Sequence, residues 1–440
     1  MGPEWVAILA LVALFVVGTA LPINMGALAY VAAWLVGMYS LDLDEKEIVA
    51  GVSGDLILTL IGVTYLFAIA RNNGTVDLIV RTAVRAVGGR VALIPWVMFA
   101  VTGVLTAVGA VSPAACAIIG PIALGFAGRY GISPLMMGMF VVHGAQAGGF
   151  SPISIYGTIT NSVMSQNDLP NSEITIFLAS LFVNLALAVV LFVVLGGRSL
   201  LSQRIDPDED DTLAADLHRG GATVPARGMG TSAPVGTQAL GVRRDQVLTL
   251  VAFLAVAVVA LAFDKNIGFV SITAAVLLAM LSPNEHKDAV KQIAWPTVLL
   301  VAGVSTYATI LEAAGSPEFV GNWAAGLGTA VLGALVLCYV GGVVSAFASS
   351  TALLPVIIPI AIPLIADGGV SAGLFVAALA VSSTIVDVSP FSTNGALMLA
   401  NRPDSIEEQV YYKQILTYSV IVVLVGPLLV WAALVLPGWG

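Results

Sequence analysis

The feature that most constrains this chain is a break in hydrophobicity that occurs twice in the same register. Ser389-Pro390-Phe391-Ser392-Thr393-Asn394-Gly395 lies between apolar runs, and Ser151-Pro152-Ile153-Ser154-Ile155-Tyr156-Gly157 lies between another two. Both read S-P-x-S-x-x-G, and the offset is 238 residues (389 − 151). The same offset joins Ser112 to Ser350 and Pro121-Ile122-Ala123 to Pro359-Ile360-Ala361. Two motif pairs in one register point to an internal duplication. Matched interruptions in the two halves of a membrane protein point to a binding site where the repeats meet. A Ser-Pro step removes a backbone donor and biases the preceding residue away from helix. Backbone groups freed at membrane depth are tolerated only where protein, water or a ligand meets them. The helix that restarts presents an N-terminus that attracts anions. A plain proline kink explains one copy; it explains less well two copies with Ser, Thr and Asn beside them.

Composition sets the medium. Of 440 residues, 58% are hydrophobic and 10% charged, with a mean hydropathy of +0.99. That is too apolar for a soluble domain and predicts an all-α polytopic membrane protein. No basic patch with interleaved aromatics occurs, so nucleic acid is not an expected partner. Cys116 and Cys338 stand in apolar surroundings and read as packing residues. The run from Trp5 to Ala20 follows Glu4 without a basic start, so it reads as a retained helix. No H-E-x-x-H pattern and no G-K-[ST] phosphate loop is present, which argues against a zinc enzyme or an ATPase.

In order, apolar runs at 5–20, 22–40 and 48–70 are long enough to cross a bilayer. The stretch 71–90, with Arg71, Arg81, Arg85 and Arg90, reads as an amphipathic surface segment. Glycines and prolines within 109–128 predict a re-entrant hairpin, one kinked crossing helix being the alternative. A span broken near Gly148–Pro152 is expected over 132–165 and a clean helix over 174–196. Residues 197–245, with an acidic run and many glycines, prolines and alanines, read as a flexible linker holding His218. The second half repeats the plan, with a hairpin expected at 347–366 and a broken span at 372–401. The predicted domains are therefore repeats 1–196 and 246–440, joined by a cytoplasmic linker. Placing 15 of the 17 Lys and Arg residues inside, with only Lys46 and Lys265 outside, requires five crossings per half and both termini outside. It also requires 91–108 and 325–345 not to cross fully. An odd number of crossings makes the repeats inverted; twelve crossings with parallel repeats is the alternative.

These residues resemble the ion transporter superfamily, within it the divalent anion–sodium symporters, and most closely the malonate and C4-dicarboxylate carriers of the MatC type. Symporter hairpin tips carry Ser-Asn-Thr about ten residues before a proline. Ser349-Ser350-Thr351 stands so before Pro359, with Ser350 where Asn is usual, and Val111-Ser112-Pro113 stands before Pro121. The Gly148-Gly149-Phe150-Ser151-Pro152 and Ser389–Asn394 breaks resemble the family's unwound helices. The resemblance covers the chain apart from the linker. It implies two inverted repeats, a dimerising scaffold, and a transport domain that moves as an elevator. It also implies a di- or tricarboxylate substrate, usually symported with sodium; the missing hairpin asparagines depart from the sodium-site pattern. No cofactor is expected, and a sodium ion is the candidate coupling ion.

A dicarboxylate must exchange its hydration for hydroxyl and N–H donors and positive helix ends. The candidate substrate ligands are Ser112, Ser151, Ser154, Thr158, Ser349, Ser350, Thr351, Ser392, Thr393 and Asn394. Any one of these hydroxyls can instead bond its own helix carbonyl. Asp387 lies deep in an apolar run, where a carboxylate marks a functional site. It would repel a dianion, so it is a candidate for ion coupling together with Gly149 and Ser389; the alternative is a structural partner for backbone donors. His143, a turn from Gln146, reads as a helix-packing histidine ahead of a proton shuttle. The expectation is an uptake carrier for small dicarboxylates. An exporter or antiporter for sodium, protons or an oxyanion is the alternative, with a channel and an intramembrane enzyme as further classes.

Overall fold

The computed structural model describes residues 2–85, 88–170, 172–204, 243–263, 265–326, 329–346, 349–366, 370–402 and 406–437. The core of the expected linker, with His218, lies outside them. Its two ends do not fit a linker reading. Gly197–Ser202 forms a 3-10 turn, and the next helix begins at Arg244 rather than after 245. Gln246 accepts from the Arg243 backbone N–H, which fixes that helix start.

Every named element among the described residues is helical. The first half runs α1 (Pro3–Ala20), α2 (Met25–Ser40), short α3 (Glu45–Ala50), α4 (Gly54–Asn72), α5 (Thr75–Arg85), α6 (Ile94–Ala107), α7 (Ser112–Tyr130), α8 (Pro134–Gly149), α9 (Ile155–Gln166) and α10 (Glu173–Val194). The second half runs α11 (Arg244–Ala262), α12 (Ile267–Leu281), short α13 (Pro283–His286), α14 (Trp295–Ala313), α15 (Ser316–Ala325), α16 (Ala330–Ser345), α17 (Ser350–Ala366), α18 (Ala372–Ile385), α19 (Thr393–Ala400) and α20 (Glu408–Leu434). Seven of these, α1, α4, α7, α10, α11, α14 and α20, are long and apolar enough to cross a membrane. The protein is a multi-pass membrane protein whose named elements, among the described residues, are helices.

The offset seen in the sequence extends over the architecture. From α4 to α10, each helix has a counterpart from α14 to α20 at close to the same displacement. Packing is exchanged between the halves: α2 lies on α14, as α12 lies on α4. These crossings are tight, because a Cβ on Gly303 would stand 2.0 Å from the Gly26 carbonyl oxygen, and one on Gly62 2.6 Å from that of Gly268. Small residues that let backbones touch are the usual route to helix association in lipid. Around α8 and α18 the core is nearly continuous, with Phe140, Phe150, Phe375, Leu379 and Val381 fully buried.

The hairpins differ from expectation. Residues 109–128 do not fold back at their centre, since α7 is one continuous helix from Ser112. Pro113 sits in its first turn, where no backbone donor is required. Pro121 follows Gly120, which has no Cβ to crowd the ring. The hairpin is instead α6–α7, turning at 108–111. Its tip packs on Val63, the middle of α4: a Cβ on Gly109, whose φ is +110°, would stand 2.2 Å from Val63 Cγ1. Likewise 347–366 is not a hairpin on its own; α17 continues through Pro355, Pro359 and Pro363, and its antiparallel partner is α16. Those prolines are four apart, so the carbonyls they leave unpaired line one face, the first being that of Thr351. The stretches 91–108 and 325–345 thus supply the first hairpin arms, α6 and α16.

Candidate functional site

The two breaks form as the sequence pattern requires. In the first, α8 ends at Gly149 and α9 starts at Ile155; in the second, α18 ends at Ile385 and α19 starts at Thr393. The first spans Phe150–Ser154, a little later than the glycine pair suggests. Locally the copies superpose in chemistry. The Ser154 N–H donates to the Ser151 carbonyl (2.8 Å) and the Ser392 N–H to that of Ser389 (3.0 Å). The side chains follow, Ser154 Oγ donating to Ser151 (2.6 Å) and Ser392 Oγ to Ser389 (2.8 Å). The closing glycine of each motif has a steric cause. A Cβ on Gly157 would lie 2.0 Å from the Ser151 oxygen, and one on Gly395 2.0 Å from that of Ser389. The pattern S-P-x-S-x-x-G thus encodes a compact turn that restarts a helix.

Each restarted helix packs against the hairpin of the opposite half, α9 on α17 and α19 on α7. This brings four helix starts together: those of α7, α9, α17 and α19. At their meeting point Asn394 donates one side-chain N–H to Ser112 Oγ at 2.8 Å and the other to Asp387 Oδ2 at 2.9 Å. The Asn394 backbone N–H donates to Asp387 Oδ1 at 3.2 Å. The Thr393 N–H and the Ser392 hydroxyl also face this carboxylate. Asp387, 4% exposed, is therefore a cap on the start of α19 from across the break, and the helix dipole favours its charge. Hydrogen bonds to a charged group contribute about 1.5–3 kcal/mol each, which offsets part of the desolvation cost. This is the structural-partner role, and it leaves the coupling role open.

The remaining sequence candidates divide. Ser112, Asp387, Asn394, Ser392 and Ser389 form one connected group, and Thr351 joins it through Tyr156, whose hydroxyl faces both Ser112 and Thr351. Thr158 lies one turn into α9, and its hydroxyl has no hydrogen-bond partner among the described residues. Ser151 is buried at the break, and Gly149 accepts the Ser154 hydroxyl. Ser350 turns away from the group: its Oγ pairs with Ser345 Oγ (2.8 Å) and donates to the Ser383 carbonyl (3.3 Å). Ser349 is half-buried at the α17 start, and Thr393 presents an exposed side chain. Tyr156 was not among the sequence candidates. Its signal was available, because the offset sets it opposite Asn394.

His143 lies in a separate cluster. Nδ1 meets Asn184 Oδ1 at 2.8 Å and Nε2 meets the Tyr418 hydroxyl at 2.6 Å, tying α8 to α10 and α20. No group of three or more metal-ligating side chains occurs among the described residues.

A family model described as "Dicarboxylate carrier protein MatC N-terminus" matches residues 1–149, and one described as "Citrate transporter" matches residues 265–438. Both models describe transporters, and each covers less than half of the chain. The two matches fall one on each half, and they indicate a secondary transporter rather than an enzyme. The chain also resembles the crystal structure of the Alcanivorax borkumensis YdaH transporter, described as having an unusual topology. The TM-score is 0.58 at 12% identity, covering 98% of each chain. At that identity the likeness concerns the fold. A comparison with curated protein sequences finds no match.

Proposed function

We propose that this carrier takes up small dicarboxylates, malonate, succinate or a close analogue, by alternating access of an elevator type. The observation that carries the reading is the Asn394 bridge, which fastens the broken helix of one half to the hairpin start of the other. Four positive helix starts and a set of short hydroxyls converge there, with no buried arginine among the described residues. That is a suitable reception for a hydrated dianion, whose lost water must be replaced by donors. The family matches add support, one being named for dicarboxylates and one for citrate.

In this reading the halves are inverted repeats and the hairpins and broken helices move together past the α2–α14 and α4–α12 crossings. Asp387 is the coupling residue: it takes a proton or holds a sodium ion beside the substrate, so the anion does not enter unaccompanied. Both termini and the sidedness of 197–245 follow the distribution of basic residues, and the scaffold is the surface for a homodimer. The test is uptake of labelled malonate, succinate and citrate into proteoliposomes under sodium and proton gradients imposed separately. Saturable counterflow is expected, with net uptake under one gradient. Flux that neither saturates nor exchanges would mark a channel.

A further inference from the structure

We infer that Tyr156 is the specificity-determining residue of this site, its hydroxyl binding a substrate carboxylate and its ring limiting substrate length. The inference rests on the proposed dicarboxylate site. The two halves are mismatched at this position. The offset of 238 equates Tyr156 with Asn394 and Gly149 with Asp387 (394 − 156 and 387 − 149). The second half holds an acid and an amide in mutual contact; the first has neither. In their place the Tyr156 ring lies over Gly149, where a Cβ would stand 2.7 Å from Cδ2 of the ring. The ring also packs on Phe150, with centroids 5.4 Å apart. An aspartate at 149 and a tyrosine at 156 exclude one another, so the two positions have to differ together.

The consequence is electrical as well as steric. The start of α19 already faces a protein carboxylate, whereas the equivalent position before α9 is a glycine. Of the two matched helix starts, α9 is the one left to a carboxylate brought by the substrate. Two further observations point to a ligand there. Thr158, in the opening turns of α9, is 7% exposed, and its buried hydroxyl is without a partner among the described residues. The Tyr156 hydroxyl faces Ser112 at the start of α7 and Thr351 at the start of α17, so it stands between the two hairpins. A donor placed so can bond a carboxylate seated on α9, while the ring occupies the volume that a longer or branched acid would need. Sites that hydrogen-bond a substrate lose more on removal of that bond than on loss of one methylene contact.

The experiment compares wild type, Tyr156→Phe and Tyr156→Ser in proteoliposomes, with labelled malonate, succinate and citrate. Tyr156→Phe keeps the ring on Gly149 and Phe150, so the fold should be retained. Its expected effect is a KM for malonate and succinate raised about tenfold, or about 1.4 kcal/mol, with maximal rate within about twofold. Tyr156→Ser opens the volume, and its citrate-to-malonate ratio should rise about tenfold. Wild-type KM in Tyr156→Phe together with an unchanged ratio in Tyr156→Ser would overturn the inference. If the serine variant cannot be recovered folded, the KM of the phenylalanine variant decides alone. Wild type that moves none of the three acids would overturn the substrate class first, and the inference with it.

Discussion

Asn394 and Ser112, 282 residues apart in the chain, are joined by a 2.8 Å hydrogen bond that crosses from one half of the molecule to the other. The same amide holds Asp387 at 2.9 Å, so one side chain ties a hairpin start to a broken helix. Asn394→Ala removes both bonds and leaves a buried carboxylate with fewer donors. The expected result is uptake reduced at least about tenfold and a lower melting temperature, since stranding a buried charged partner costs several kcal/mol. Ser112→Ala loses only the bond between halves and should cost about 1 kcal/mol. Equal effects for the two variants, measured by uptake and thermal unfolding in detergent, would contradict this ordering.

Asp387→Asn separates the capping role from the coupling role. An amide at this position can still accept from the Asn394 backbone, so α19 remains started. Concentrative uptake should be lost while exchange of labelled for unlabelled substrate continues at near the wild-type rate. Undiminished accumulation against a gradient in this variant would remove Asp387 from coupling.

Much of this arrangement was legible in the chain itself, and what was missed has physical causes. The repeated S-P-x-S-x-x-G pattern located both breaks because its final glycine answers a backbone contact made within seven residues. Hairpin bounds were harder. The glycines and prolines of 109–128 predict an interruption, yet Pro113 sits where no donor is needed and Pro121 follows a glycine, so α7 runs on. The true turn at 108–111 carries only one such residue, Gly109. The link from Asp387 through Asn394 to Ser112 joins distant residues, and no local pattern announces it. An aromatic in an apolar helix such as Tyr156 reads as packing; its place opposite Asn394 shows only when the halves are set against each other at the common offset.

Gly157→Ala and Gly395→Ala test whether the paired breaks are one structural device. Each added methyl would lie 2.0 Å from the Ser151 or Ser389 carbonyl oxygen, which accepts from the N-cap serine of the restarting helix. Overpacking of this kind costs about 1–3 kcal/mol, and here it also displaces the helix start. Both variants should unfold at lower temperature and transport poorly. Gly125→Ala, in the interior of α7 with nothing within 4 Å of the new methyl, is the control and should be neutral or stabilising by about 0.5–1 kcal/mol. Thermal unfolding followed by size-exclusion chromatography distinguishes the three.

His143 supplies the contrast between a buried polar group that holds helices and one that moves charge. Its two ring nitrogens are both occupied, by Asn184 at 2.8 Å and the Tyr418 hydroxyl at 2.6 Å, and the residue is fully buried. Neither partner belongs to the Ser112–Asn394–Asp387 group. His143→Phe should therefore destabilise, by about 1–3 kcal/mol for the stranded partners, because Asn184 and Tyr418 lose their acceptor or donor at once. Substrate preference and the response to imposed sodium or proton gradients should stay as in wild type. The deciding measurement is net uptake in His143→Phe proteoliposomes across external pH. A changed dependence on the proton gradient, in protein that remains folded, would assign this histidine to the proton path and leave Asp387 only its cap on α19.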